Sequence, residues 1–105
     1  MMIIGTDKQE RKIEIMARAA SEMFPQIEEL VFKGCFRYGI EYALKQNKYE
    51  SWKNVEEKSL ADKVEFFNTG FKGSIDKLSA VGLKDREIEY LFEKLWEKNR
   101  DFLLK

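Results

Sequence analysis

The chain offers one thiol, Cys35, and no histidine at all. A thiol needs a neighbouring base to act as a thiolate near neutral pH, and imidazole is the usual supplier. Without His, nucleophilic catalysis is poorly equipped, and both the ordinary neutral-pH proton carrier and the commonest metal ligand are missing. A single Cys also excludes an intramolecular disulfide and a thiolate cluster for zinc. Cys35 falls in an apolar run, opposite the charged row of its helix, where a reduced thiol packs as a small apolar side chain. Asp and Glu are plentiful, but nearly all lie on expected solvent faces with Lys or Arg within one turn. No pair stands apart as an acid–base couple, and no D-x-D-x-D-G loop offers itself to calcium. The sequence therefore yields no catalytic residue, metal ligand or cofactor site, and no enzyme is expected.

Three other constellations carry some chemistry. Gly70-Phe71-Lys72-Gly73-Ser74 is the one Gly-rich stretch placed before an expected helix. There Lys72, Gly73 and Ser74 would hold an anion at a helix N-terminus, although Gly-Ser before a helix is also how a plain N-cap looks. Ile75 to Lys94 reads as two helices joined at Gly82, the helix-turn-helix form. Its cations, Lys84, Arg86 and Lys94, would meet the phosphates of DNA. Asp85, Glu87, Glu89 and Glu93 share that corner and repel phosphate, so nucleic acid is only the alternative partner. Last come the aromatics, most of which fall on core stripes. Tyr38 and Tyr42 on the second helix, and Tyr90 flanked by charges on the last, are the candidate anchors for a partner protein.

These residues ride on helices. Thr6-Asp7-Lys8-Gln9 has the capping-box form, and the stripe behind it falls at Ile13, Met16, Ala17, Ala20, Met23 and Phe24. Pro25 ends or kinks this first helix. The second, Pro25 to Gln46, carries an i+4 row of Glu29, Lys33, Arg37, Glu41 and Lys45, whose signs suit ion pairs along the helix. The rest of its surface is apolar on two sides: Ile27, Val31, Cys35, Tyr38 and Tyr42 on one, Phe32, Phe36, Ile40 and Ala43 on the other. A helix apolar over so much of its circumference must be central, or must form an oligomer interface. Gly34 and Gly39 weaken it by about 1 kcal/mol each relative to Ala, which suggests close approach of a neighbour or a local break. A third helix is expected from Trp52 to near Gly70, then a short one over Ile75–Val81 capped by Ser74 and closed by Gly82. The last helix presents Ile88, Leu91, Phe92, Leu95, Trp96, Phe102 and Leu103, with Leu83 and Ile88 as a hydrophobic staple around an unusual Lys84 cap.

The 105 residues suit a single domain, 1–105, and 44 % hydrophobic content with 13 % aromatic residues argues against disorder. Lys plus Arg and Asp plus Glu number 19 each. Zero net charge disfavours a basic nucleic-acid binder or a cationic membrane peptide. No run is long enough for a signal core or a membrane span. The expectation is an all-α, compact array of four to five helices around a central apolar helix at residues ~25–46. Functionally it is a small cytosolic interaction or regulatory module that binds a partner protein, itself included as a homodimer, without cofactor, metal or membrane.

Overall fold

The computed structural model describes residues 6–105, without the Thr6 side chain. The apolar start, residues 1–5, lies outside the described residues, and so does the Thr6 side chain on which the expected Thr6–Gln9 capping box depends. Five helices follow in order: α1 (Thr6–Met23), α2 (Glu29–Gln46), α3 (Trp52–Glu56), α4 (Leu60–Ala80) and α5 (Asp85–Leu104). No strand occurs among the described residues, and the fold is the all-α array that the periodicity predicts.

Two boundaries differ from the sequence reading. α2 starts at Glu29 rather than Pro25, because the chain turns first: the Ile27 amide donates to the Phe24 carbonyl at 3.0 Å, and the Ser21 hydroxyl donates to the Ile27 carbonyl at 3.3 Å. Pro25 suits this turn, having no N–H to lose. The larger correction concerns Trp52–Val81. The expected third helix breaks after Glu56, and a new one begins where the Ser59 hydroxyl accepts from the Asp62 amide at 3.2 Å. That helix, α4, then runs without interruption through Gly70 and Gly73 to Ala80. Ser74 is therefore no cap. It is fully buried mid-helix, and its hydroxyl donates to the Phe71 carbonyl at 2.9 Å.

Helix ends are closed by backbone geometry. Gly82 takes φ +112°, while the Gly82 amide donates to Ser79 and the Leu83 amide to Leu78. This is the Schellman closure expected at that glycine. The same pattern ends α2, with Lys48 in the left-handed region at φ 58° and amides of Lys48 and Tyr49 donating to Lys45 and Leu44. At the start of α5 the Glu87 carboxylate accepts from the Lys84 amide at 2.8 Å, with Leu83 and Ile88 both buried on either side. Half a capping box thus serves where no Ser or Thr stands.

The four long helices pack in a closed ring, α1 on α2, α2 on α4, α4 on α5 and α5 on α1, with α3 against α1 and α4. The core contains the stripes read from sequence: Ile13, Met16, Ala17 and Ala20 from α1, Phe32, Phe36, Ile40 and Ala43 from α2, and Ile88, Leu91, Leu95 and Leu103 from α5. Edge-on contacts join Trp52, Phe66 and Phe67, and Phe71 stacks on Phe92 with ring centroids 4.7 Å apart.

α2 and α4 meet backbone to backbone. A Cβ placed on Gly39 would collide with the Gly70 carbonyl oxygen and stand 3.1 Å from the Ser74 Cβ. Gly34, one and a half turns earlier, faces nothing within 4 Å. The two glycines of α2 thus carry opposite predictions. Gly39→Ala is expected to destabilise by about 1–3 kcal/mol through overpacking, and Gly34→Ala to stabilise by up to about 1 kcal/mol through helix propensity. Urea unfolding of the two variants reads both signs, and equal effects would contradict this packing.

Candidate functional site

The two apolar sides of α2 meet different fates. Phe32, Phe36, Ile40 and Ala43 are buried against neighbours, whereas Val31 is 38 % exposed, Tyr38 46 % and Tyr42 38 %. Val31, Cys35, Tyr38 and Tyr42 follow one another at four, three and four residues, the spacing of a single helical stripe. Leu30, 72 % exposed, stands beside it at the N-terminal end of the helix.

Along this stripe the α2–α4 seam opens into a groove of about 460 Å³. α2 supplies Val31, Gly34, Cys35 and Tyr38, and the end of α4 supplies Lys77 and Ala80. Gly34, Cys35 and Ala80 are small, which makes a shallow apolar floor. The Lys77 ammonium sits 4.8 Å from the centroid of the Tyr38 ring, a cation–π contact that orients both side chains. Tyr42 packs differently: a Cβ on Gly73 would stand 2.5 Å from its ring, so Tyr42 closes the seam over the α4 backbone.

Charges edge the groove. Arg37 and Glu41 line it from α2. Arg37 reaches away to α1, where its Nε and Nη2 donate to the two oxygens of Glu10 at 3.0 and 2.6 Å. That hydrogen bond, with Glu41 adding attraction, lifts the guanidinium above its ordinary pKa. Lys33 lies 3.9 Å from Glu14, again on α1. The charged row of α2 therefore ties α2 to α1, in place of the pairs expected along the helix. Among the described residues, neither Lys77 nor Glu41 makes an ion pair.

Cys35 is 4 % exposed, as a core role requires, and its sulfur borders the groove floor. Burial pushes the thiol pKa up, with Lys77 partly offsetting. Among the described residues no three carboxylate or thiol groups gather in a metal-holding arrangement.

The other sequence candidates lie elsewhere. Lys72, Gly73 and Ser74 sit inside α4, so the anion cradle expected there has no helix N-terminus, its amides being spent within the helix. Lys84 and Arg86 are exposed at the start of α5, beside exposed Asp85 and Glu89. Lys94 lies 3.5 Å from Glu97 and 5.6 Å from the Tyr90 ring centroid. Tyr90 is 49 % exposed but stands on α5, apart from Tyr38 and Tyr42 on α2.

One buried cation went unremarked in the sequence. Lys12 is 5 % exposed, donates from Nζ to the Phe102 carbonyl at 2.7 Å, and lies 4.5 Å from the Phe102 ring centroid. It joins α1 to the last turn of α5, where unsatisfied carbonyls favour a cation. Burial lowers its pKa, Glu56 offsets this, and Lys8, Lys63 and Lys105 add to the lowering. Its place on the apolar side of α1, between Gln9 and Met16, was the available signal.

No protein-family model, curated protein or solved structure matches this chain.

Two measurements follow from these groups. Cys35 should react with an aromatic disulfide reagent at pH 8 about tenfold or more slowly than a free thiol, and at the free rate once urea unfolds the chain. A fast native reaction would contradict its burial. For Lys12 the folded pKa lies below the unfolded value, so between the two the unfolded chain binds more protons and stability rises with pH. The cost of the buried charge is complete below the folded pKa and gone above the unfolded one. Wild type should gain on Lys12→Met between pH 7 and about 11 in urea unfolding, and a constant difference would refute the assignment.

Proposed function

We propose that this chain is a small interaction module that acts by binding another protein through the α2–α4 groove. The observation that supports this reading is the row of half-exposed side chains Val31, Tyr38 and Tyr42 on one stripe of α2, beside a groove floored by small residues. Single exposed apolar residues are ordinary on any protein surface. Here several stand on one helix at helical spacing, and a groove runs beside them. Such a surface suits an amphipathic helix, whose apolar residues at i, i+3, i+4 and i+7 would seat along the seam. Tyr38 is its natural anchor, being large, half-exposed and restrained by Lys77. The rim charges, Lys77 and Glu41, would fix register and discriminate between partners.

No helix of the described residues is long and apolar enough to cross a membrane. Together with the reduced Cys35 this favours the cytosol as the working compartment. The Lys84–Arg86 corner is a poorer site, because Asp85 and Glu89 are exposed beside its two cations.

The immobilised chain should retain a specific protein from an extract of its native host. Tyr38→Ala or Val31→Glu should lower that capture by about tenfold, with thermal stability close to wild type because both side chains are substantially exposed. Tyr90→Ala should leave capture unchanged. Equal capture by all four proteins, or none by wild type, would overturn the reading.

A further inference from the structure

We infer that the occupant of the α2–α4 groove is a second copy of this chain, seated about a two-fold axis near Tyr38. This inference rests on the proposed interaction surface and names its partner.

Two rim charges make no ion pair among the described residues. Lys77 stands on the α4 wall and Glu41 on the α2 wall. An occupant that satisfies both must present a carboxylate to the first wall and a cation to the second. The same seam turned over by a two-fold rotation presents that pair. Spacing supports the match. Glu41 lies three residues beyond Tyr38, and Cys35 three residues before it, about 4.5 Å along the helix in each direction. If the copy's α2 lies antiparallel with Tyr38 against Tyr38, its Glu41 arrives at the level of Cys35. Lys77 lines the groove with Cys35 and its ammonium stands 4.8 Å from the Tyr38 ring centroid, so its flexible side chain can reach that level. The two-fold then generates the pair twice, Lys77 to Glu41 in each direction.

The remaining features suit this arrangement. In this register Gly34 and Cys35 stand opposite the copy's Tyr42 and Glu41, and with Ala80 they are small enough to leave room for them. Arg37, already bound to Glu10, adds no unpaired cation to the seam. With zero formal net charge, two copies approach without overall repulsion.

Light scattering and sedimentation of the full chain, from about 1 µM to 1 mM, should give a reversible dimer with a dissociation constant on the order of 10–100 µM, the range of a small transient interface. Lys77→Glu and Glu41→Lys should each weaken the dimer by about tenfold or more, since each places like charges together twice. The double variant should recover it. An equimolar mixture of the two single variants should form a heterodimer, seen by native mass spectrometry, although neither dimerises well alone. Tyr38→Ala should abolish association in every background. Melting curves check that each variant folds. A wild type that stays monomeric at about 1 mM overturns the second-copy inference, whereas the capture experiment separately judges the groove as a site for another protein. A dimer indifferent to Lys77, Glu41 and Tyr38 overturns it equally, because its interface would then lie elsewhere.

Discussion

The contact between the backbones of α2 and α4 at Gly39 and Gly70 sets the remainder of the architecture. With no side chain between them, the helices touch, and the rotation of α2 about its axis is fixed by that touch. Phe32, Phe36, Ile40 and Ala43 then point into the core, and Val31, Tyr38 and Tyr42 are left half-exposed beyond the rim of the contact. Successive helical side chains are about 100° apart. A rotation by even one residue would put Tyr38 where Gly39 now meets the Gly70 carbonyl. Towards Val31 and Val81 the seam is no longer held by glycine, and there it opens into the groove. The open surface and the glycine contact are thus two ends of one interface.

The same contact explains what was legible in the sequence. The stripes of α1 and α5 read directly, because three-and-four spacing is a local property and their neighbours do not alter it. For Gly34 and Gly39 the sequence left open a close approach or a break; Gly39 is the close approach, and Gly34 is neither. Gly70 and Gly73 read as a break, since glycine marks a break as readily as a crossing, and only the partner helix decides which. Their misreading moved a helix end to Gly70 and made a cap of Ser74. Ser59 does mark the start of α4 as an N-cap, and the helix it opens carries on through both glycines. Lys48 gave no signal at all. A lysine in the left-handed region is imposed by the turn, and nothing in its residue type foretells it.

The surface of α2 was half legible. Two apolar sides could be counted, and the alternatives of a central helix or an interface followed. Which side would be covered depended on α1, α4 and the glycine contact, all distant in sequence. Its charged row was misjudged for a related reason. The pairs expected four residues apart gave way to Arg37–Glu10 and Lys33–Glu14, partners 27 and 19 positions apart in the chain, because α1 lies along that flank. Such half-exposed pairs contribute at most about 1 kcal/mol each. Their consequence is geometric: they draw two cations of α2 toward α1 and leave the groove's α2 wall predominantly apolar.

Glycine inside a helix is a liability of about 1 kcal/mol unless a neighbour needs the space. Gly39 has such a neighbour in the α4 backbone, and within this chain Gly34 has none. A folding requirement therefore accounts for the first and not for the second. Gly34 lies on the groove floor, beside Cys35 and across from Ala80, where any larger side chain would fill the space that an occupant would enter. Places where a sequence departs from its own local preference without a structural return are where binding demands tend to be found. On α2 that departure coincides with the half-exposed Val31, Tyr38 and Tyr42 and with the rim charge Glu41, while Lys77 faces them from α4. A propensity cost, an exposed apolar row and charges outside any ion pair of the described residues converge on the one groove between α2 and α4.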